Sequence, residues 1–421
     1  MVACIQRVGL VGTALLAAFL CSCSIPLDEP DPFSARDDLS AYYGETVGVT
    51  PVPVSNPRFS DNGPAIKAEM LRLIGLAEKH ILVGSFLLTD GLESREILDA
   101  LAARAREGVR VQVIGDASSR FVPEKQAFDY LVETGVPVAE FNPVRGWRLL
   151  ALPILLERDH RKFWVIDGRW VSLGGANINE PSLVSPEQGG NRDLMVTVES
   201  PVAAGELTRS FVETWNESDA PENLSEADFA PGSPLPNPSS EFWFFNQEKI
   251  YQKPSQTDVM MDGLFASAKK SIWLVEPYTF VNESILSDIR RMAERGVEVN
   301  VVLSSQARAP RFRYASFYGI KDLSEAGAKV WVFDSETSPL HYKCALVDDE
   351  LAYVGSSNLN LRSFHLSREL NTVFDDPPSV ARVKGVIESV LEDCRLVPLE
   401  EAGNYRSLPF FTWWAIMQIA G

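Results

Sequence analysis

Two of the four histidines begin the same pattern of residues, 181 positions apart. One copy runs from His160 to Asn177 and the other from His341 to Asn358, and both read H-x-K-x4-D-x6-G-[GS]-x-N. Imidazole can attack phosphorus or move a proton near neutral pH, while lysine and asparagine can hold the oxygens of a phosphate. A single H-x-K triplet is usually accidental, but a long pattern repeated with its spacing intact is not. The repeat therefore predicts phosphate chemistry.

Strand geometry suggests how the motif side chains are placed, because alternate residues of a strand share one face. The candidate catalytic residues are His160, Lys162, Asp167, His341, Lys343 and Asp348. Within that set, each histidine and its lysine are expected to point into one pocket. The two aspartates fall on the far side and are expected to hold structure rather than react. Small residues and amides near the strand ends are expected to approach the anion. These candidate phosphate-binding residues are Gly175, Asn177, Ser356 and Asn358.

The sequence around the motifs is also duplicated. Residues 268–302 repeat the strand, helix and strand pattern of residues 77–113. Two copies of one α/β domain are therefore predicted, each a mixed β-sheet flanked by helices. The predicted domains cover residues 58–218 and 241–400, and a proline-rich linker of residues 219–240 joins them.

The N-terminus has the features of a secretory signal. Arg7 precedes an apolar run from Val8 to Leu20, which is about as long as the apolar core of a signal peptide. Leu20-Cys-Ser-Cys23 resembles the bacterial lipobox, so residues 1–22 are predicted to be a lipoprotein signal peptide and Cys23 the lipidated residue. An ordinary signal peptide is the alternative. Residues 23–57 are expected to be a tether with little order. The expected location is the periplasm-facing cell envelope, lipid-anchored, with the outer membrane favoured.

Two further segments leave alternatives open. The C-terminal tail, residues 401–421, contains Trp413 and Trp414 and is too short to span a bilayer. It suits either an interfacial membrane contact or packing against the second domain. Arg308, Arg311 and Arg313 are expected in a loop, where they either receive an anionic phospholipid or are simply solvated.

Composition limits the classes of partner. The formal net charge is −18, which disfavours a general nucleic-acid binder because an acidic protein repels a polyanionic backbone. The five cysteines show no zinc-binding spacing. Cys344 and Cys394 are expected to be free buried thiols, with a single disulfide as the alternative.

The paired H-x-K-x4-D motif resembles the hallmark of the phospholipase D superfamily. The residues after the second motif, 355–371, are most similar to those of bacterial cardiolipin synthases. Two positions depart from that branch. Asn191 stands where it commonly has tryptophan, and Asn179-Glu-Pro181 replaces its acidic stretch.

This resemblance implies one active site at a pseudo-twofold interface, with one motif from each half. It implies His160 as the nucleophile that forms a phosphohistidine and His341 as the general acid and base, although the reverse assignment stays open. Asp193 and Glu369 match the residues that orient the rings, crosswise, with Glu369 on His160 and Asp193 on His341. No metal or other cofactor is implied.

The implied activity is a membrane-associated phosphatidyltransferase that acts on phospholipids. It would join two phosphatidylglycerols into cardiolipin and release glycerol. A phospholipase D that uses water as the acceptor is the alternative, and a nuclease of the superfamily is less favoured because of the negative charge. A non-catalytic lipid-binding module is disfavoured because both motifs are intact. The expected partners are phospholipid and the membrane surface, reached through lipidated Cys23 and the C-terminal tail, and the chain is expected to be a monomer.

Overall fold

The computed structural model describes residues 38–145, 157–307 and 309–420. The predicted signal peptide, Cys23, the first part of the predicted tether and Arg308 lie outside these ranges. Among the described helices, none is both long enough and apolar enough to cross a membrane.

One sheet of sixteen strands runs through the described part of the chain. The strands are β1 Val52–Ser60, β2 His80–Ser85, β3 Arg110–Asp116, β4 Val138–Phe141, β5 Arg158–Asp159, β6 Phe163–Ile166, β7 Trp170–Gly174, β8 Met195–Glu199, β9 Ser240–Gln247, β10 Ser271–Glu276, β11 Glu298–Ser304, β12 Lys329–Phe333, β13 Cys344–Val347, β14 Leu351–Gly355, β15 Ser367–Phe374 and β16 Cys394–Leu396. Their order is β16-β12-β11-β10-β13-β14-β15-β9-β1-β8-β7-β6-β2-β3-β4, and β5 pairs with β15.

The strand order is a palindrome once the edge strand β16 and the short strand β5 are set aside. Its centre is the antiparallel pair of β1 and β9, where Val52 lies opposite Phe242. In the first half β2, β3 and β4 are parallel, and β10, β11 and β12 are parallel in the second. The prediction of two mixed α/β domains is confirmed, and their sheets are continuous through β1 and β9.

The helices cover the sheet. They are α1 Leu39–Val47, α2 Gly63–Leu76, α3 Leu92–Arg106, α4 Phe128–Glu133, α5 Glu180–Leu183, α6 Pro201–Glu217, α7 Gln256–Ser267, α8 Glu283–Glu294, α9 Pro310–Tyr318, α10 Ile320–Glu325, α11 Leu361–His365, α12 Pro377–Leu391, α13 Leu399–Ala402 and α14 Leu408–Ala420. The long helices α6 and α12 begin alike. Ser200 and Asp376 cap them by accepting backbone N–H groups, and a proline follows each cap.

A core shared by both halves lies beneath the motif strands. Phe163 and Trp215 of the first half belong to the same buried cluster as Phe242, Phe333 and Val383 of the second. Burying this apolar surface favours the assembled pair over separated halves. The halves are therefore fixed relative to each other by sheet pairing and by a common core.

The predicted tether is wrong from Leu39 onward. Residues 39–57 contain α1 and most of β1, and Tyr43 is fully buried, its hydroxyl donating to the carbonyl of Met260 at 3.1 Å. Proline misled the prediction, since Pro53 lies inside β1 opposite Glu241. Proline is compatible with strands where no ladder bond from its nitrogen is needed.

The predicted linker is partly packed. Residues 219–239 contain a short 3-10 helix at Glu226–Asp228 and no longer element. Leu224 and Phe229 are nevertheless buried in the shared core. The segment therefore follows the surface of the first half before β9 begins.

Candidate active site

The two histidines lie just before strands β6 and β13, so the strands begin three residues later than the prediction of a strand through the H-x-K triplet. Backbone bonds fix both segments across the interface between the halves. The N–H of His160 donates to the carbonyl of Arg368 at 3.0 Å, and the N–H of His341 donates to that of Arg192 at 2.7 Å. Each histidine is therefore tied to the residue that precedes a carboxylate of the other half.

Those carboxylates contact the imidazole rings. Nδ1 of His160 lies 3.1 Å from each carboxylate oxygen of Glu369, and Nδ1 of His341 lies 2.6 Å from Oδ2 of Asp193. The contacts are crosswise, as the resemblance implies. An ionised carboxylate only accepts, so Nδ1 carries the proton and the neutral ring keeps its lone pair on Nε2.

Burial determines the protonation of the two histidine–carboxylate dyads, which are His160 with Glu369 and His341 with Asp193. Burial lowers the pKa of both His160 and His341 to about 4. Burial opposes the ionisation of Glu369, yet His160 and Lys162 hold its pKa below the ordinary value. At neutral pH both rings are therefore neutral and Glu369 is ionised. A neutral imidazole oriented through Nδ1 is the form in which histidine acts as a nucleophile or a base.

Both motif lysines are buried beside their histidines. Nζ of Lys343 donates to the carbonyl of His341 at 2.6 Å and lies 3.2 Å from Nε2 of the same ring. Nζ of Lys162 donates to the carbonyl of His160. Burial lowers the pKa of Lys162 to about 7 and also lowers that of Lys343. A bound phosphate would favour the charged form of both amines, since an opposite charge nearby stabilises it.

The two asparagines are held in equivalent ways. The backbone N–H of Asn177 donates to Oγ of Ser182 at 3.2 Å, and that of Asn358 donates to Oγ of Ser363 at 3.0 Å. Oδ1 of Asn177 accepts the N–H of Leu87. The side-chain amide nitrogen of Asn177 can then donate a hydrogen bond to an anion.

Gly175 and Ser356 differ from the prediction of phosphate contacts, because they serve the carboxylates. A Cβ on Gly175 would lie 2.1 Å from Oδ1 of Asp193, so only glycine leaves room for that carboxylate. The hydroxyl of Ser356 donates to Glu369 and accepts the N–H of Leu370 at 2.9 Å. Both small residues therefore position the acids that orient the rings.

Asp167 and Asp348 accept backbone hydrogen bonds, in agreement with their predicted structural role. The carboxylate of Asp167 accepts the N–H groups of Glu78, Lys79 and His80 at 2.7–2.8 Å. Asp348 accepts three equivalent N–H groups, from residues 269–271, at 2.7–2.8 Å. These aspartates fix the turn after the motif strand to the start of β2 or β10.

Sequence reasoning missed three residues beside the dyads. The ring of Phe86 lies 4.8 Å from that of His160, edge to face, and the ring of Tyr278 lies 6.3 Å from that of His341. Glu276 is buried, and its carboxylate accepts the N–H of Leu359 at 3.2 Å. The only sequence signal for the aromatics is their place just after β2 and β10, at the strand ends that the motifs predict to surround the site.

Glu276 makes the site asymmetric. Its equivalent in the first half is Ser85, whose hydroxyl accepts the N–H of Ile178 at 3.2 Å. Burial raises the pKa of Glu276 well above the ordinary value, although Lys343 opposes this shift. The second half therefore places a carboxyl group near its lysine where the first half has a hydroxyl.

The other sequence candidates lie elsewhere. Arg311 and Arg313 lie on helix α9 rather than in a loop, because Pro310 begins a helical turn there. The tail forms α14 and packs on α9, which agrees with the alternative of packing against the second domain. His80 packs against Phe229 in the core, with ring centroids 5.3 Å apart. Cys344 and Cys394 are free thiols, the first buried and the second half-buried.

Comparison with known proteins decides the family. A family profile described as "Cardiolipin synthase, PLD-like domain" matches residues 70–215 and 261–391, which is more than half of the chain. The chain belongs to this family. Within the described residues, no cluster of histidine, cysteine and acidic side chains is arranged to hold a metal ion.

Curated relatives of this chain are named cardiolipin synthases. A probable cardiolipin synthase of Bacillus subtilis is 24% identical over 90% of this chain and 75% of its own length. A cardiolipin synthase of Bacillus cereus is 30% identical over 79% of this chain and 64% of its own. The chain thus spans about two thirds to three quarters of the length of these relatives.

Solved structures show the same fold. A phosphatidylserine synthase of Haemophilus influenzae superposes with a TM-score of 0.69 at 15% identity, over 91% of this chain and 96% of its own. A polyphosphate kinase of Porphyromonas gingivalis gives a TM-score of 0.51 at 12% identity, over 83% of this chain and 55% of its own. At such identities the likeness describes the fold alone.

Proposed function

We propose that this protein is a membrane-associated phosphatidyltransferase that joins two phosphatidylglycerol molecules into cardiolipin and releases glycerol. The observation that carries the proposal is the crosswise pair of histidine–carboxylate dyads, His160 with buried Glu369 and His341 with buried Asp193. Two oriented imidazoles and two buried lysines suit a two-step displacement at phosphorus. The names of the matched relatives and the acidic charge favour a phospholipid over a nucleic acid.

The reaction divides between the two histidines. In the first step Nε2 of His160 attacks phosphorus, the bond to the glycerol headgroup oxygen breaks, and His341 gives a proton to that oxygen. In the second step His341 takes the proton of the incoming alcohol, whose oxygen attacks phosphorus and displaces His160. The lysines and asparagines stabilise the phosphoryl oxygens throughout.

His341 must carry a proton before the first step, although burial lowers its pKa to about 4. Binding of the substrate causes His341 to take up this proton. A phosphodiester brings one negative charge next to the ring, and an adjacent opposite charge raises the pKa of an imidazole. Asp193 holds the proton on Nδ1, so Nε2 is the atom that gains and loses the proton.

Attachment to the bacterial envelope through a lipidated Cys23 is part of this proposal. Its support is the lipobox-like sequence at residues 20–23. A Cys23→Ser variant is expected to leave the membrane fraction more readily when membranes are fractionated. Unchanged fractionation would show that another part of the chain supplies the attachment.

The proposed reaction is tested with purified protein and phosphatidylglycerol vesicles, with lipid products separated and weighed by mass spectrometry. Cardiolipin and glycerol are expected in equal amounts, and both should vanish in His160→Ala and in His341→Ala. Phosphatidic acid as the main product would indicate water as the acceptor and a phospholipase D. Cleaved plasmid DNA with unchanged lipid would replace the proposal by a nuclease.

A further inference from the structure

Helix α14 presents an apolar outer face to the solvent. From Leu408 to Ala420 the sequence contains no charged residue. Leu408 is 75% exposed, Phe411 44% and Ile416 43%. A surface helix of a soluble domain normally carries polar or charged side chains opposite its buried stripe. Clustered exposed apolar side chains of this kind indicate a contact surface.

The inner face of α14 fixes this surface on the second half. Met417 is buried against Phe280 and Ala315. The ring of Trp414 lies 5.2 Å from that of Tyr318, and Nε2 of Gln418 donates to a backbone carbonyl at 3.4 Å. The outer face therefore has a defined position on the molecule.

Aromatic contacts connect α14 with the active site. The ring of Tyr278, which lies 6.3 Å from that of His341, stacks on Phe312 at 4.9 Å. Phe312 in turn packs in the same cluster as Trp413 and Trp414. The outer face of α14 is thus separated from His341 by a few packed rings.

Two positive charges lie on the helix that packs against α14. Arg311 and Arg313 are exposed on α9, the helix against which α14 packs. Across the described residues, neither guanidinium forms an ion pair with a carboxylate. They are a local exception in a chain of net charge −18. Apolar and aromatic side chains beside arginines match the boundary between acyl chains and anionic headgroups.

We propose that the outer face of α14, with Arg311 and Arg313, docks on the surface of an anionic phospholipid bilayer. Docking there would place the His341 side of the active site at the lipid surface. A second copy of this chain is a poorer occupant, since a twofold contact through this face would bring the same arginines together. Docking itself does not depend on the proposed function. Only the idea that docking brings phospholipid substrate to the active site rests on it.

Vesicle sedimentation tests the docking surface. All chains carry Cys23→Ser, so that lipidation at this residue makes no contribution. The double variant Leu408→Ser/Ile416→Ser is expected to bind phosphatidylglycerol vesicles about tenfold more weakly or worse, since it loses much apolar contact. The matched control Leu76→Ser/Val132→Ser removes two exposed apolar side chains from the first half and should bind like the parent.

Charge is tested with a second pair of variants. Arg311→Gln/Arg313→Gln should weaken binding to phosphatidylglycerol vesicles severalfold and leave the weaker binding to phosphatidylcholine vesicles unchanged. The control Arg106→Gln/Arg382→Gln removes two exposed arginines elsewhere and should have no effect. Circular dichroism confirms that each variant is folded.

Equal vesicle binding by the α14 variant and its control would overturn the inference. A parent chain that is a dimer in solution and an α14 variant that is a monomer would also overturn it, because the face would then bind a second copy. Turnover of dispersed short-chain phosphatidylglycerol by the parent chain is measured separately. If turnover is absent while vesicle binding depends on α14, the proposed function fails and the docking surface stands. If turnover is present while vesicle binding does not depend on α14, the docking surface fails and the proposed function stands.

Discussion

At the scale of single residues, the site depends on burial as much as on residue type. Lysine and histidine lose charge when they are removed from water; both motif lysines are buried and both motif histidines are only 15% exposed. The repeated pattern predicts that the motif side chains meet, and the resemblance to the phospholipase D superfamily implies the crosswise acids Asp193 and Glu369. It could not predict Glu276, because a glutamate at a strand end is usually solvated and its burial depends on tertiary packing. It also could not show that Ser356 serves Glu369 rather than the substrate.

Anion binding should depend on pH through Lys162. Burial lowers the pKa of Lys162 to about 7, so the amine loses its charge as the pH rises above 7. The affinity for sulfate, whose own charge is constant in this range, should fall by up to about tenfold per pH unit between pH 7 and 9. Calorimetric titration with sulfate measures this slope.

Lys162→Met is the control for the sulfate titration. It should bind sulfate more weakly at pH 7 and show a shallower slope, because the titrating amine is gone. A constant affinity of the parent chain from pH 6 to 9 would contradict the assignment of a lowered pKa to Lys162.

At the scale of helices and strands, the repeat predicted the sheets of both halves but not how they join. The palindromic order follows from the duplication, whereas the junction of β1 with β9 depends on long-range pairing that periodicity does not reveal. A tether is predicted for residues 23–57 because proline and aspartate are frequent there. Burial of Tyr43 and Val54 outweighs that local signal.

The motif aspartates should matter for stability more than for catalysis. Asp167→Ala removes the acceptor of three backbone N–H groups, so the free energy of unfolding in urea should fall by about 1–3 kcal/mol. Asp167→Asn keeps an acceptor oxygen and tolerates the φ of 53° at this position, so it should lose less. If Asp167→Ala instead abolished turnover and left the unfolding curve unchanged, the structural role would be wrong.

At the scale of the whole molecule, neither half contains a complete site. Each histidine has its lysine in its own half and its orienting acid in the other. The shared core and the continuous sheet hold these six side chains in place. The duplication in the sequence therefore corresponds to one composite site rather than to two.

The covalent intermediate tests this account most directly. The parent chain is mixed with phosphatidylglycerol vesicles, quenched during turnover and digested, and its histidine peptides are weighed by mass spectrometry. A phosphatidyl group is expected on the peptide that contains His160. It should be absent in His160→Ala and strongly reduced in Glu369→Gln, a change in the other half of the chain. Turnover that continues with neither His160 nor His341 modified would contradict the account.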